Sequence, residues 1–169
     1  QNGATEIIII VNTLNPLTEQ HILQLKQQGK ADDIRMVVKS TPSSMHSFAE
    51  LAPYLSDGPF CLTTVDTIFC EEEFSQYINH CFATNEQLHI TGFHDTDEGD
   101  RYISGGIYCL RPSALQTLAT CLKEGKSRMR NFQRALVSDG LKLKAFPFTK
   151  ILDVDHVEDI VKAENFLQQ

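Results

Sequence analysis

Apolar residues along this chain keep two rhythms, a continuous one for strands and a three-to-four spacing for helices. Ile7 to Val11 is an unbroken run of β-branched residues, the pattern of a strand covered on both faces. Thr18 to Gln28 then predicts a helix with Ile22, Leu23 and Leu25 inward, ended by Gly29. A second strand follows at Ile34 to Lys39. After the turn Thr41-Pro42-Ser43-Ser44, the residues Met45, Phe48, Ala49, Ala52 and Leu55 recur at helical spacing. Phe60 to Val65 predicts a third strand that delivers Asp66. The next helix opens on Glu71-Glu72-Glu73, acids suited to a helix N-terminus, and turns Phe74, Tyr77, Ile78 and Cys81 inward.

Beyond that point the alternation loosens. Leu88 to Phe93 and Tyr102 to Leu110 predict strands, separated by the acidic turn His94 to Asp100. Helices are expected over Pro112 to Glu124, with proline in the first turn, and over Ser127 to Ser138, closing near Gly140. Leu141 to Phe148 is a further strand. Asp155 to Leu167 is the last helix, with Val157, Ile160, Val161 and Leu167 on one face. Strands alternating with helices predict an α/β fold with a mostly parallel, Rossmann-like sheet and helices on both faces. Without repeats, low-complexity stretches or linkers, residues 1–169 form a single domain.

Charge narrows the function classes. With 22 acidic and 15 basic residues the net charge is −7, which argues against a nucleic-acid binder with a broad basic face. The five cysteines have no CxxC or CxxH spacing, and four lie in apolar surroundings, so reduced, packed thiols in a cytoplasmic protein are expected. No apolar run has the length of a membrane span, and no signal peptide opens the chain. The early strand at Ile7, with little before it, predicts a domain entered part-way through.

Candidate chemistry lies in two acidic clusters where strands are expected to end. Asp66 follows Thr63-Thr64-Val65, and ligands in open α/β sheets bind beyond the carboxyl ends of strands. It could equally serve to turn the chain. Asp153 and Asp155 precede the last helix. There Asp155 and Glu158 have capping-box spacing, while two carboxylates so close together also favour a cation. The two glycines in Ser104-Gly105-Gly106-Ile107-Tyr108 mark either a bulge or the close approach of a ligand to the backbone. Ser43 and Ser44 read as a helix cap that also offers amides to an anion. Lys150, beside the second acidic cluster, is a better phosphate candidate than the Lys123 to Arg134 stretch, which reads as a solvated helix face.

Three stretches, taken in order, resemble the sugar-phosphate nucleotidyltransferases, the NTP-transferase family with a glycosyltransferase-A-like fold. They are Thr64-Val65-Asp66, Ile103 to Tyr108, and Asp153-Val154-Asp155 followed by Glu158-Asp159-Ile160 and Ala163-Glu164. The last is the most specific. The resemblance implies a Mg²⁺ site at Asp66 and Asp155, with Asp153 as a further ligand, and backbone contacts from Gly105 and Gly106 to a sugar phosphate. Ser43 and Ser44 fall where the family approaches the nucleotide base. The implied reaction is attack of a sugar 1-phosphate, or a related phosphomonoester, on the α-phosphate of an NTP with release of pyrophosphate. Asp66, Asp155 and Lys150 would serve catalysis. The family's glycine-rich, triphosphate-cradling loop has no counterpart here, because the chain opens at what resembles the family's second strand. The exposed flank this leaves invites pairing into a homo-oligomer. Cys81 to Asn85 also runs through where the family has a further strand. Two other readings stand beside this one: a glycosyltransferase using Asp153-Val154-Asp155, and a non-enzymatic module that binds a nucleotide, a sugar phosphate or a protein.

Overall fold

The computed structural model describes residues 3–55, 57–81, 88–94 and 102–168. The expected acidic turn after His94 and the passage from Phe82 to Asn85 lie outside them. The described residues form a mixed α/β structure of six α-helices and short strands paired two by two.

Strand β1 (Ile7–Val11) pairs in parallel with β2 (Ile34–Val38), from Ile7 opposite Ile34 to Val11 opposite Val38. Helix α1 (Pro16–Gln27) makes the crossover, as a parallel pair requires. Proline sits in its first turn, and Gly29, at φ 67°, turns the chain away from its end. The three other pairs are antiparallel. Strand β3 (Phe60–Leu62) runs against β6 (Tyr108–Leu110), β4 (Thr67–Phe69) against β8 (Ile151–Asp153), and β5 (Leu88–His89) against β7 (Lys144–Ala145). Among the described residues each strand has one partner. β1 is less fully buried than its apolar run predicts: Val11 is buried, Ile8 to Ile10 are half-buried and Ile7 is 42% exposed.

The main core lies where α2 (Ser44–Leu51), α4 (Ala114–Lys123) and α5 (Met129–Ser138) meet the end of β6. Met45 and Phe48, three apart on α2, meet Ala114, Leu118 and Cys121 of α4 and Phe132 and Leu136 of α5. The Phe48 ring stands edge-on to Phe132 at 5.5 Å and tilted to Phe60 at 6.0 Å, so α2 is keyed to both α5 and β3. A second cluster is aromatic. Phe69 stacks on Phe74 at 4.5 Å, and Tyr77, Phe146 and Phe148 close around them. It ties α3 (Glu71–His80) to β4 and to the segment entering β8. Glu73 fastens the same junction by accepting from both the backbone N–H and the hydroxyl of Thr149.

Several elements are shorter than the pattern predicts. The third strand stops at Leu62 rather than Val65, and Val65 is 88% exposed in the turn that follows. Of Tyr102 to Leu110 only the last three residues are strand, and of Leu141 to Phe148 only Lys144 and Ala145. Helix α6 (Val157–Leu167) forms as expected, yet it buries Ala163 and leaves Val157, Ile160, Val161 and Leu167 outward. Among the described residues no helix is long and apolar enough to cross a membrane.

Candidate functional site

The two acidic clusters, far apart in sequence, meet at one corner. Asp66 occupies the turn just before β4, and Asp153 is the last residue of β8. Because β4 and β8 are antiparallel, with Thr67 opposite Asp153, the start of one strand lies against the end of the other. Past the ladder the pairing continues by one bond, from the Val154 N–H to the Asp66 carbonyl at 3.0 Å. The backbones of Asp66, Asp153 and Val154 are therefore neighbours, and Asp155 follows directly.

A short hydroxyl relay runs beneath this corner. Thr67, which is buried, donates to Asp153 Oδ1 at 3.4 Å. Its single proton is thereby used, so the 2.6 Å contact with Thr64 makes Thr64 the donor to Thr67. The run Thr63-Thr64-Val65-Asp66-Thr67 thus holds the second cluster through its hydroxyls as well as its backbone. The carboxylates of Asp66 and Asp155 accept no hydrogen bond from the described residues.

Capping differs from the expected register. The N-cap of α6 is His156, not Asp155, and the reciprocal partner is Asp159, not Glu158. The His156 N–H donates to Asp159 Oδ2 at 3.1 Å, while the His156 side chain takes the Asp159 N–H. Lys162 Nζ, 2.7 Å from Asp159 Oδ1, and the His156 N–H hold that carboxyl below its ordinary range. The one-residue shift leaves Asp155 outside the cap and exposed at the corner.

The glycine pair lies beside the same strand. A Cβ on Gly105 would meet Cδ1, the far end of the Ile151 side chain in β8, so the missing side chain leaves that space to Ile151. Gly106 has φ 74° and open space where a Cβ would be, so its requirement is backbone conformation. Gln133 of α5, 6% exposed, anchors the segment by donating from Nε2 to Ser104 Oγ at 2.7 Å and to the Tyr108 hydroxyl at 2.9 Å. Burial raises the pKa of that phenol, keeping it protonated. Gln133 escapes a reading aimed at charged residues, although Met129, Phe132, Gln133 and Leu136 form one inward face and a polar residue there is the signal.

Lys150 enters β8 with its ammonium 5.7 Å from the centre of the Phe166 ring on α6. Ser43 caps α2: its hydroxyl accepts from the His46 N–H and lies 2.8 Å from His46 Nδ1. Thr41 braces the same turn through Ser47 at 2.6 Å. Ser44 is the first residue of the helix. Of the expected residues, hydrogen bonds and strand pairing link Asp66 with Asp153 and Val154, while Gly105 joins them through Ile151. Ser43 and Ser44 belong to a different element and are tied by none of these contacts.

Asp66, Asp153 and Asp155 offer hard oxygen donors, and among the described residues no cationic side chain is bonded to them. Among the described residues no three His, Cys, Asp or Glu side chains gather tightly enough to hold a metal alone. Mg²⁺ commonly takes one or two carboxylates and completes its shell with phosphate oxygens and water. No family model and no curated protein matches this chain.

Proposed function

We propose that this corner binds Mg²⁺ and a phosphorylated substrate, and that the protein transfers a nucleotidyl group from an NTP to a sugar 1-phosphate or related phosphomonoester, releasing pyrophosphate. The observation that carries the reading is the β4–β8 pairing, which joins Asp66 to Asp153-Val154-Asp155 with Gly105 packed against the same strand. Such a transfer depends on positioning and charge neutralisation more than on a protein nucleophile.

In this reading Asp66 and Asp155 hold the ion, with Asp153 beside them steadied by Thr67. When bound, Mg²⁺ offsets phosphate charge that a chain of net charge −7 would otherwise repel. Gly106, with open space where a side chain would be, brings bare backbone to the sugar phosphate while Gly105 seats the segment against Ile151, and Lys150 balances charge on the departing pyrophosphate. Since the Ser43 hydroxyl is committed to capping, contact with the base falls to Ser44 and to backbone amides. The finer fold expectation, a mostly parallel Rossmann-like sheet with helices on both faces, is supported by the β1–α1–β2 unit. A cytoplasmic location, where NTP and sugar phosphates are plentiful, accompanies the reading.

Pyrophosphate release in the presence of Mg²⁺, an NTP panel and sugar 1-phosphates tests it. Turnover should require all three components and fall at least about 100-fold in Asp66→Asn and Asp155→Asn, as for loss of a principal charge-stabilising group. Turnover unaffected by both substitutions, or independent of the sugar phosphate, would overturn the assignment.

A further inference from the structure

Away from the acidic corner, β3, β6 and the end of α3 bring three thiols together. Cys61 and Cys109 are directly opposed in the β3–β6 pair, and Cys81 at the end of α3 shares hydrogen bonding with Cys109. All three are reduced. Not all are packed away as the sequence predicts: Cys61 and Cys70 are exposed, Cys81 and Cys109 half-buried, and only Cys121 is buried.

The strand geometry identifies which pair can bond. Opposed residues in an antiparallel ladder alternate between sites that exchange N–H···O bonds and sites that do not. The Cys109 N–H does not turn toward β3. It donates to the Tyr77 hydroxyl of α3 at 2.7 Å. Cys61–Cys109 is therefore a non-hydrogen-bonded site, where opposed Cα atoms stand about 4.5 Å apart and side chains lie closest. That separation falls within the roughly 4.4–6.8 Å that a disulfide spans. Cys81 is held differently, its thiol donating to the Ile78 carbonyl at 3.2 Å.

We propose that Cys61 and Cys109 form a reversible cross-strand disulfide by exchange with a low-molecular-weight disulfide such as oxidised glutathione. Exposed Cys61 is the entry point. Hydrogen bonding from Cys109 lowers the Cys61 pKa, and the same bond, with burial, raises that of Cys109. The Cys61 thiolate attacks one sulfur of the small disulfide, forming a mixed disulfide and expelling one thiolate. Cys109 then gives up its proton and attacks the Cys61 sulfur, expelling the second small thiol. Two protein thiols are oxidised, and one small disulfide is reduced to two thiols. The product staples β3 to β6, five residues before Asp66 and three after Gly106.

The test equilibrates the purified protein across glutathione buffers from reducing to oxidising, blocks residual thiols, and maps linkages by non-reducing proteolysis and mass spectrometry. A peptide joining Cys61 to Cys109 should accumulate, vanish with dithiothreitol, persist in Cys81→Ser and be lost in Cys61→Ser. The oxidised wild type should melt roughly 10 °C higher than the reduced form, since the bond closes a long loop. No linkage under oxidising buffer, a linkage through Cys81, or a glutathione adduct that stays on Cys61 would each overturn the proposal. The wild-type map alone decides it if a serine variant does not fold.

Discussion

Gly105 shows how one missing side chain positions a site. Its absent Cβ lets the Ser104 to Tyr108 segment lie against Ile151, and Ile151 opens the strand that ends at Asp153. Gly105→Ala should therefore push the movable Ile151 Cδ1 aside and cost about 1 kcal/mol in urea denaturation, the low end for overpacking. Ile151→Val removes the Cδ1 that the new methyl would strike. The double variant should be less destabilised than the two single changes combined, a positive coupling that a glycine needed only for flexibility would not give. The two glycines stand out in the sequence, but their separate reasons do not. Packing explains Gly105 and a positive φ explains Gly106, and only the neighbour across the strand distinguishes them. Gln133 was hidden for a related cause, because its partners lie on another element.

At the scale of elements, helices were more legible than strands, and the physics explains it. A helix satisfies its own backbone, so the spacing of Met45, Phe48, Ala49 and Ala52 is enough to place α2. Strand length depends on a partner elsewhere in the chain. The apolar run from Phe60 to Val65 therefore reads as one strand, although pairing with β6 ends at Leu62 and pairing with β8 begins at Thr67. Cap register is equally local and equally easy to misplace, since Asp155–Glu158 and His156–Asp159 have the same spacing. His156→Ala should cost roughly 0.5–1 kcal/mol of thermal or urea stability, whereas Asp155→Ala should leave it nearly unchanged. The reverse order would return the cap to Asp155.

At the scale of the molecule, the described residues pack chiefly into the helical core around Phe48 and Phe132 and the aromatic group of Phe69, Phe74, Tyr77, Phe146 and Phe148. The second carries the acidic corner, and α3 links it to the thiols through Tyr77 and Cys81. Burial first, and then Cys109, push the Cys81 thiol up from 9.0 to about 12, and Tyr77 and Cys109 shift in the same direction. A raised folded-state pKa means the unfolded chain loses its proton first. The stability from neutral Cys81 is thus complete below pH 9 and is lost as pH rises through about 12. Unfolding free energy should decline across that window, and Cys81→Ala should flatten the decline. An equally steep fall in the variant would assign the alkaline loss to other groups.

Residues nearly ninety positions apart in the chain are proposed to form one cation and phosphate site, and a residue-resolved metal titration tests this pairing. Mn²⁺ substituting for Mg²⁺ broadens the NMR signals of nearby amides. Titrated in the presence of an NTP, it should broaden Thr64 to Thr67 and Leu152 to Asp155 first and together, and both Asp66→Asn and Asp155→Asn should weaken the effect at both segments. Broadening that begins instead at the acidic start of α3, Glu71 to Glu73, or that affects only one of the two segments, would place the cation elsewhere and rule out a site shared by Asp66 and Asp155.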